Sequence, residues 1–486
     1  MNFKLMARIN AYILVLESAF MIIPMMISVI GNERRSAWGF FFAILVTFGV
    51  GAVLWLITRN AQNRLRAREG MVCTGVSWIL LSLFGALPFW FSRQIPRYLD
   101  AVFETVSGFT TTGASILNDV EAMSRGCLFW RSFTHWIGGM GILVFMLAVI
   151  PLSGKNEGFT LHLMRAESPG PSVGKIVPKM RETAKILYLI YIGLTALNVL
   201  FLIAGKMPLL DALCTAFGTA GTGGFGVKAD SMAGYSAYLQ TVTTVFMALF
   251  GVNFSCYYLL LRKDWKSVLK DEELRLYLAI ILLSALCITV NILPQSASLY
   301  DAWHHAAFTV SSIITTTGFA TKDFNQWPTF SKAVILTLMF CGACAGSTGG
   351  GIKVSRVLLL FKGLRRNIHQ ILHPQKVQTI RSNGRVISES ILTNTNAYLS
   401  AYALIVILSF IAVSLDSRFS IESNFSAVMC CFNNIGPGLD QVGPTSNFYL
   451  CSGLTKIVLI VDMLLGRLEI FPILVLFSRS TWKKLN

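Results

Sequence analysis

Charge is what this chain has least of. Only 13% of its 486 residues are Asp, Glu, Lys or Arg, about half the share usual in a soluble domain. Hydrophobic residues make up 54% and the mean hydropathy is +0.61, so an ordinary water-soluble globule is excluded. Cysteine is present ten times, but scattered through apolar segments, which excludes a disulfide framework. Cys341 and Cys344 form a CxxC with no second ligand pair near it, which argues against a zinc site. There is no P-loop, no HExxH and no nucleophile elbow, so the chain lacks the familiar marks of nucleotide hydrolysis and of acyl-transfer or zinc-hydrolase chemistry. GTGGFG matches GxGxxG at Gly221, Gly223 and Gly226, but no βαβ unit frames it. His369 and His373 stand four residues apart in a basic loop without a nearby carboxylate, and read as a solvated face. His304 and His305 fall at the start of a short helix described below.

What is present is a succession of apolar runs such as AYILVLESAFMIIPMMISVIG and FFFAILVTFGVGAVLWLI, each near the ~20 residues that cross a bilayer. Ten spans are expected, with both termini on one side. The first run is too long for a cleaved signal peptide and no small-residue cleavage site follows it. The net charge of +17 could suggest nucleic acid. Its placement argues otherwise: the basic residues concentrate in the N-terminus, in loops near 58–70, 152–186, 262–275 and 362–397, and in the C-terminal tail. By the positive-inside rule both termini are cytoplasmic, and the excess charge favours anionic lipid or an acidic partner rather than nucleic acid. Four cations, Arg131, Lys353, Arg356 and Arg467, fall inside spans or at their ends, where charge is costly and usually functional.

Four segments align on one glycine: YLDAVFETVSGFTTTGAS at Gly113, LLDALCTAFGTAGTGGFG at Gly224, LYDAWHHAAFTVSSIITTTGFA at Gly318 and SIESNFSAVMCCFNNIGPG at Gly436. Each opens on an acid, Asp100, Asp211, Asp301 or Glu422, expected to cap a short helix. Each is too short and polar to cross a membrane and lies between two apolar spans. The unit is span, half-helix, polar glycine loop, span. Irregular backbone survives at membrane depth only inside protein or along a watery path. Helix C-termini, carbonyls and threonine hydroxyls aimed at one axis suit a cation. The fold class is therefore an all-α polytopic membrane protein with four parallel repeats and two additional N-terminal spans. The boundaries fall at 1–70 for the extra pair and 71–155, 156–270, 271–390 and 391–486 for the repeats.

At this point the sequence resembles the Trk/Ktr/HKT superfamily of potassium transporters, most closely its bacterial TrkH/TrkG branch. CGACAGSTGGGIKVSR (341–356), FNNIGPG (432–438) and MLLGRLE (463–469) carry the resemblance, which covers nearly the whole chain. It implies M1–pore helix–M2 units around one pore, K⁺ uptake across the bacterial inner membrane, a homodimer, and a cytoplasmic nucleotide-binding partner of the TrkA type. It implies a K⁺ filter of Thr110, Thr111, Thr112 and Gly113; Gly221, Thr222, Gly223 and Gly224; Thr315, Thr316, Thr317 and Gly318; and Asn433, Asn434, Ile435 and Gly436. K⁺ would be the transported ion, with no covalent or organic cofactor and no enzymatic activity.

The third M2 span is interrupted by glycines 342, 346, 349, 350 and 351. At roughly 1 kcal/mol each relative to alanine, they cannot sustain a helix. Together with the resemblance this points to a gate formed by Gly346, Ser347, Thr348, Gly349, Gly350 and Gly351, followed by Lys353. Close helix packing through small residues is the alternative. Arg467 is implied to face the pore and oppose K⁺, with Glu469 as a partial counter-charge. Lys353 and Arg356 are expected to reach the cytoplasmic interface, and Arg131 the outer one. A K⁺ symporter coupled to Na⁺ or H⁺ is the other transport reading. It needs a membrane carboxylate, for which Glu17, Asp462 and Glu469 are the candidates.

Overall fold

The computed structural model describes residues 1–60, 66–141, 180–376 and 378–482. The expected border at 155/156 and most of the basic loop 152–186 lie outside the described residues. Within them the chain is helical apart from a two-residue ladder pairing Arg381–Ser382 with Arg385–Val386.

The additional pair comes first. α1 (Phe3–Phe20) runs on into α2 (Ile22–Ile30), and α3 (Arg34–Ile57) returns beside them. Small residues allow the close approach: a Cβ on Gly51 would touch Val15 and Ala11, and one on Gly39 would collide with Ser92. Glu33, at the turn, accepts the Arg125 and Gly126 N–H groups at 2.7 and 3.3 Å. That fixes the pair to the first repeat.

Each repeat then opens on a long first span: α4 with α5 (Ala67–Gly85, Leu87–Phe91), α8 (Met180–Ala204), α13 (Glu272–Ile292) and α17 (Glu389–Val413). The last three form the outer layer, where Leu282, Leu286 and Val290 share an exposed, lipid-suited stripe at helical spacing. Only 28% of their apolar windows is buried, against 67% for the first repeat, which the additional pair covers. The short pore helices form the inner layer: α6 (Tyr98–Phe109), α9 (Leu209–Gly221), α14 (Leu299–Ile314) and α18 (Ile421–Phe432). Every residue of α6 from Asp100 to Phe109 is buried. Phe3 and Trp482 stack at 6.3 Å, so the two ends of the described chain share a face, called here the termini face.

The ten-span expectation needs one revision. Among the described residues six helical stretches are long and apolar enough to cross a membrane, the additional pair and the four first spans, or seven if the bent helix pair 237–250 and 254–261 counts as one span. Among the described residues the helix of every second span ends early, not that of the third alone. α7 (Arg125–Gly139), α10 (Ala237–Phe250), α15 (Thr329–Cys341) and α19 (Gly453–Arg467) hold 15, 14, 13 and 15 residues. At ~1.5 Å per residue these reach ~20–22 Å, short of a ~30 Å hydrocarbon core. Beyond the break α10 turns by 91° into α11 (Phe254–Leu261). After α12 (Trp265–Leu269) the third break, 342–353, leads into α16 (Val354–Leu372). The fourth passes through Glu469 and Ile470, both at positive φ, into α20 (Phe471–Phe477). α21 (Arg479–Trp482) follows. Near the ends of α7 and α19 the packing is close: a Cβ on Gly138 or Gly466 would lie within 2 Å of the Phe109 or Phe432 carbonyl oxygen, at 1.8 and 1.9 Å. These helices press against the ends of their own pore helices.

Candidate functional site

All four pore helices stop in the same way. Thr111, Thr222, Thr316 and Asn434 adopt the left-handed conformation at φ 55, 55, 60 and 57°. In loop 1 Thr112 N–H donates to Ser107 C=O at 2.8 Å and Thr111 N–H to Gly108 C=O at 3.0 Å. The same two bonds recur from Gly223 and Thr222, from Thr317 and Thr316, and from Ile435 and Asn434. This is a Schellman cap repeated four times. For β-branched threonine the left-handed region costs about 1–2 kcal/mol, and three of the four loops hold a threonine there. The repetition also settles the second loop, whose extra glycines blur its alignment: Thr222 corresponds to Thr111, and Gly224 to Gly113.

Two residues beyond each cap stands the aligned glycine. Gly113, Gly224, Gly318 and Gly436 all have positive φ, between 75 and 92°. A Cβ on Gly113 would lie 2.1 Å from the Gly223 carbonyl oxygen, one on Gly224 1.9 Å from that of Thr317, one on Gly318 2.0 Å from that of Ile435, and one on Gly436 2.8 Å from that of Thr112. The contacts run from loop 1 to 2, 2 to 3, 3 to 4 and back to 1. They close a ring in which each loop's carbonyl abuts the next loop's glycine. No side chain larger than hydrogen fits at these points. The four glycines also border one cavity of about 150 Å³ on the face away from the termini. Loops 1 and 3 are close copies: Thr110 and Thr315 each bond back to the helix at 2.6 Å and pair with Thr112 and Thr317 at 2.8 Å. Loop 4 substitutes amides, with Asn434 donating to the Thr112 hydroxyl and the Met463 carbonyl at 3.0 Å.

The glycine-rich segment 342–353 lies directly against the termini side of this ring. Gly350 N–H donates to the Thr316 hydroxyl at 2.6 Å. A Cβ on Gly349 or Gly350 would meet the Thr315 or Asn433 carbonyl oxygen at 2.9 or 2.5 Å. The segment's two ends are gathered by one carboxylate, Glu273, which accepts from Ala345 N–H at 2.6 Å and Ser355 N–H at 3.0 Å. Arg467 reaches in from α19. Its guanidinium donates to Thr348 C=O at 2.8 Å and to Gly138 and Gly139 C=O at 2.6 Å, and so links repeats 4, 3 and 1. The Thr348 hydroxyl donates to Phe250 C=O at 3.3 Å. Gly346 C=O accepts from Phe254 N–H at 3.0 Å, and Ser347 turns its hydroxyl onto Cys344 C=O at 2.7 Å.

Several sequence expectations change here. Lys353 does not reach an interface: it is buried and its ammonium donates to Gly349 C=O. Arg356 is buried too, lies 3.9 Å from the Tyr398 ring and pairs with Glu469. Glu469 is therefore the carboxylate paired with Arg356 of repeat 3. Arg131 is buried against Glu104 at 2.6 Å and borders the cavity above the glycines. The acids of the pore helices lie in the first turn, as the macrodipole favours, but they are not the caps. Ser298 and Ser420 cap α14 and α18, while Arg97 and Pro208 stand at the cap positions of α6 and α9 without side-chain bonds. Asp100 instead pairs with Lys456 at 2.7 Å, Asp211 accepts from Tyr235 at 2.9 Å, and Asp301 pairs with Lys322 at 2.9 Å. Glu422 is exposed.

Glu104 and Glu273 were passed over in the sequence. Glu104 could have been noticed as an acid in the middle of an otherwise apolar half-helix. Glu273 is hidden by its place at a helix start, where acids are common. His304 bonds Gln240 at 2.7 Å and His305 lies beside Asp301 at 3.2 Å. The His369 and His373 rings are 4.8 Å apart. Gly221 ends α9, and Gly223 and Gly226 follow that helix, not a strand. Outside the spans, Asp440 takes the Ser420 and Ser423 hydroxyls at 2.5 and 2.7 Å, which hold its carboxyl below the ordinary 3.8. Its backbone exchanges hydrogen bonds with the Asn325 amide, tying loop 4 to loop 3.

Four half-helices around a backbone ring, with an irregular plug against one side, define an ion-conducting membrane protein. The family model for TrkH, a cation transport protein, matches residues 37–484. The Trk system potassium uptake protein TrkH of Salmonella typhimurium is 36% identical over the whole of both chains. The Trk system potassium uptake protein TrkG of Escherichia coli is 32% identical over 99% of each. The crystal structure of the potassium transporter TrkH from Vibrio parahaemolyticus superposes with a TM-score of 0.88 at 32% identity, covering 99% of this chain and 100% of that one. The chain belongs to the TrkH family of cation transport proteins.

Proposed function

We propose that this chain is the ion-translocating subunit of a K⁺ uptake system in a bacterial inner membrane, with K⁺ as its transported ion. The observation that carries the reading is the closed ring of four glycines and four carbonyls. In it a dehydrated cation meets backbone oxygens in place of water, and the ring's size and field discriminate between ions. Thr110–Gly113, Gly221–Gly224, Thr315–Gly318 and Asn433–Gly436 line the path. Segment 346–351, with Lys353 and Arg467, is the barrier on the termini side. The names of the relatives speak of a Trk system, which supports further components. A cytoplasmic nucleotide-binding partner of the TrkA type would meet the termini face, and a second copy would complete a homodimer.

The test is cation flux into liposomes holding the purified protein, comparing K⁺, Rb⁺, Na⁺ and Li⁺ under voltage alone. Selective K⁺ and Rb⁺ flux is the expected result. Flux that requires a Na⁺ or H⁺ gradient would replace the channel-like reading with symport. Symport has two observations in its favour: Asp462 is buried, with one oxygen on the Ser409 hydroxyl at 2.6 Å and the other without a hydrogen-bond partner, and Glu17 is buried with neither carboxylate oxygen hydrogen-bonded.

A further inference from the structure

One buried ion pair breaks the fourfold pattern. Glu104 stands nine residues before Gly113; the same position holds Thr215, Thr309 and Ala427 in the other repeats. Its carboxylate takes Arg131 Nε at 2.6 Å, the Ser115 hydroxyl at 2.9 Å and Ile116 N–H at 2.9 Å. Arg131 Nη1 in turn donates to Gly226 C=O at 3.0 Å, and its guanidinium lies 3.5 Å from the Phe225 ring centre. Ser115 and Ile116 are the chain's exit from the ring in loop 1, while Phe225 and Gly226 are its exit in loop 2. The pair thus bridges the segments leaving two adjacent quarters of the ring, whose own contact is Gly113 against Gly223. Both side chains are buried, and Arg131 borders the cavity above the glycines. The other junctions are joined differently: loop 2 to loop 3 through Ser231, Met232 and Ala320, loop 3 to loop 4 through Asn325 and Asp440, and loop 4 to loop 1 through Phe448 and Ser115.

We propose that Glu104 and Arg131 are positioning residues for ion discrimination: the pair sets the spacing of loops 1 and 2, and Glu104 cancels a positive charge on the wall that approaching cations pass. The inference rests on the loops being the K⁺ path. A ring of carbonyls distinguishes K⁺ from a smaller cation only while its oxygens keep their places. Lysine cannot replace Arg131, because a single ammonium cannot serve Glu104 and Gly226 with the geometry of a planar fork.

The experiment is the K⁺ to Na⁺ flux ratio in liposomes for wild type, Glu104→Gln, Arg131→Lys and the double variant Glu104→Gln/Arg131→Gln, at low and high ionic strength. Arg131→Lys lowers the ratio by roughly tenfold, equivalent to about 1.4 kcal/mol. Glu104→Gln lowers it too and also reduces total flux, a deficit that shrinks as salt entering the cavity that Arg131 borders screens the uncancelled charge. The double variant loses that salt dependence but keeps the poor ratio. Ser115→Ala removes one Glu104 bond, disturbs packing least, and gives the same sign at smaller size, so the question is answered even where the charge variants do not fold. A wild-type ratio in folded Ser115→Ala and Arg131→Lys overturns the proposal. A wild type that passes no cation would overturn the K⁺ reading beneath it instead.

Discussion

Arg467 is the place where removing one side chain should increase transport. Its guanidinium joins carbonyls of α7 and of the glycine segment, directly under the ring. Two effects add when it becomes alanine. A unit positive charge opposes a cation by about 4 kcal/mol at a separation of ~4 Å and an effective dielectric of ~20, and by half that at twice the distance. Hydrogen bonds to a charged group contribute about 1.5–3 kcal/mol each, so the segment also loses its link to the other repeats. Taking ~2 kcal/mol of lowered barrier, at tenfold per ~1.4 kcal/mol, gives a rise of K⁺ flux of roughly thirtyfold. The assay is K⁺-driven flux into liposomes, normalised to monodisperse protein. Arg467→Lys separates the two effects, since it keeps the charge and cannot hold all the carbonyls. High flux in the lysine variant assigns the barrier to the link, and wild-type flux assigns it to the charge. Folded Arg467→Ala protein with flux at or below wild type would refute the reasoning.

Shortening the segment between Ala345 and Gly350 should likewise raise flux, measured in the same way, because less backbone then lies under Thr315 and Asn433. Gly318→Ala places a methyl 2.0 Å from the Ile435 carbonyl oxygen at a φ of 85°. It should lose K⁺ over Na⁺ discrimination and lower the thermal midpoint as well, because the methyl meets backbone that has to shift. Glu469→Gln strands the buried Arg356 guanidinium. It should cost about 3–5 kcal/mol, and the double variant with Arg356→Gln should recover part of that in a thermal-shift cycle. Outside the membrane, Asp416 accepts both Arg418 bonds at 2.7 Å and the Ser452 N–H at 2.9 Å, which hold its carboxyl below the ordinary 3.8, Arg418 foremost. A lowered value adds stability above the unfolded value and loses it as pH falls. Thermal midpoints should therefore decline from about pH 4 downward, with a shallower decline in Asp416→Asn. Arg418 is half exposed, so the difference is small and shrinks in high salt.

The parts of this structure readable from sequence are those fixed by backbone conformation. TTTG occurs twice with its glycine at the positive φ that a set offset after the helix requires, while its central threonine is held left-handed against its own preference. Asn434 serves as well as threonine because asparagine tolerates the left-handed region. That is why NNIG aligns despite its different side chains. Glycine density likewise announces the break at 342–351. The breaks in the first and fourth repeats are not announced: Gly138 and Gly466 look like ordinary helix residues until the Phe109 and Phe432 carbonyls lie against them. The buried ion pairs are hidden for the same reason. Glu104 lies 27 residues from Arg131, Arg356 lies 113 from Glu469, and Asp100 lies 356 from Lys456. Sequence spacing can suggest an i,i+2 neighbour such as Glu469 for Arg467, but it does not reveal which carboxylate the fold delivers.

The closure of the ring by contact between Gly436 and Thr112 has a genetic consequence. In a pore assembled from four identical subunits, one codon change is felt four times, and a defect in one place is a defect in every quarter. Here the four quarters are separate stretches of a single gene, and a substitution alters one of them while three keep their form. TTTG, GTGG and NNIG can then drift apart in side chain so long as the backbone of each still meets its neighbour. The same arrangement makes the last repeat to be synthesised the one that completes the circle. Until Gly436 reaches Thr112, three quarters of the ring have an open side.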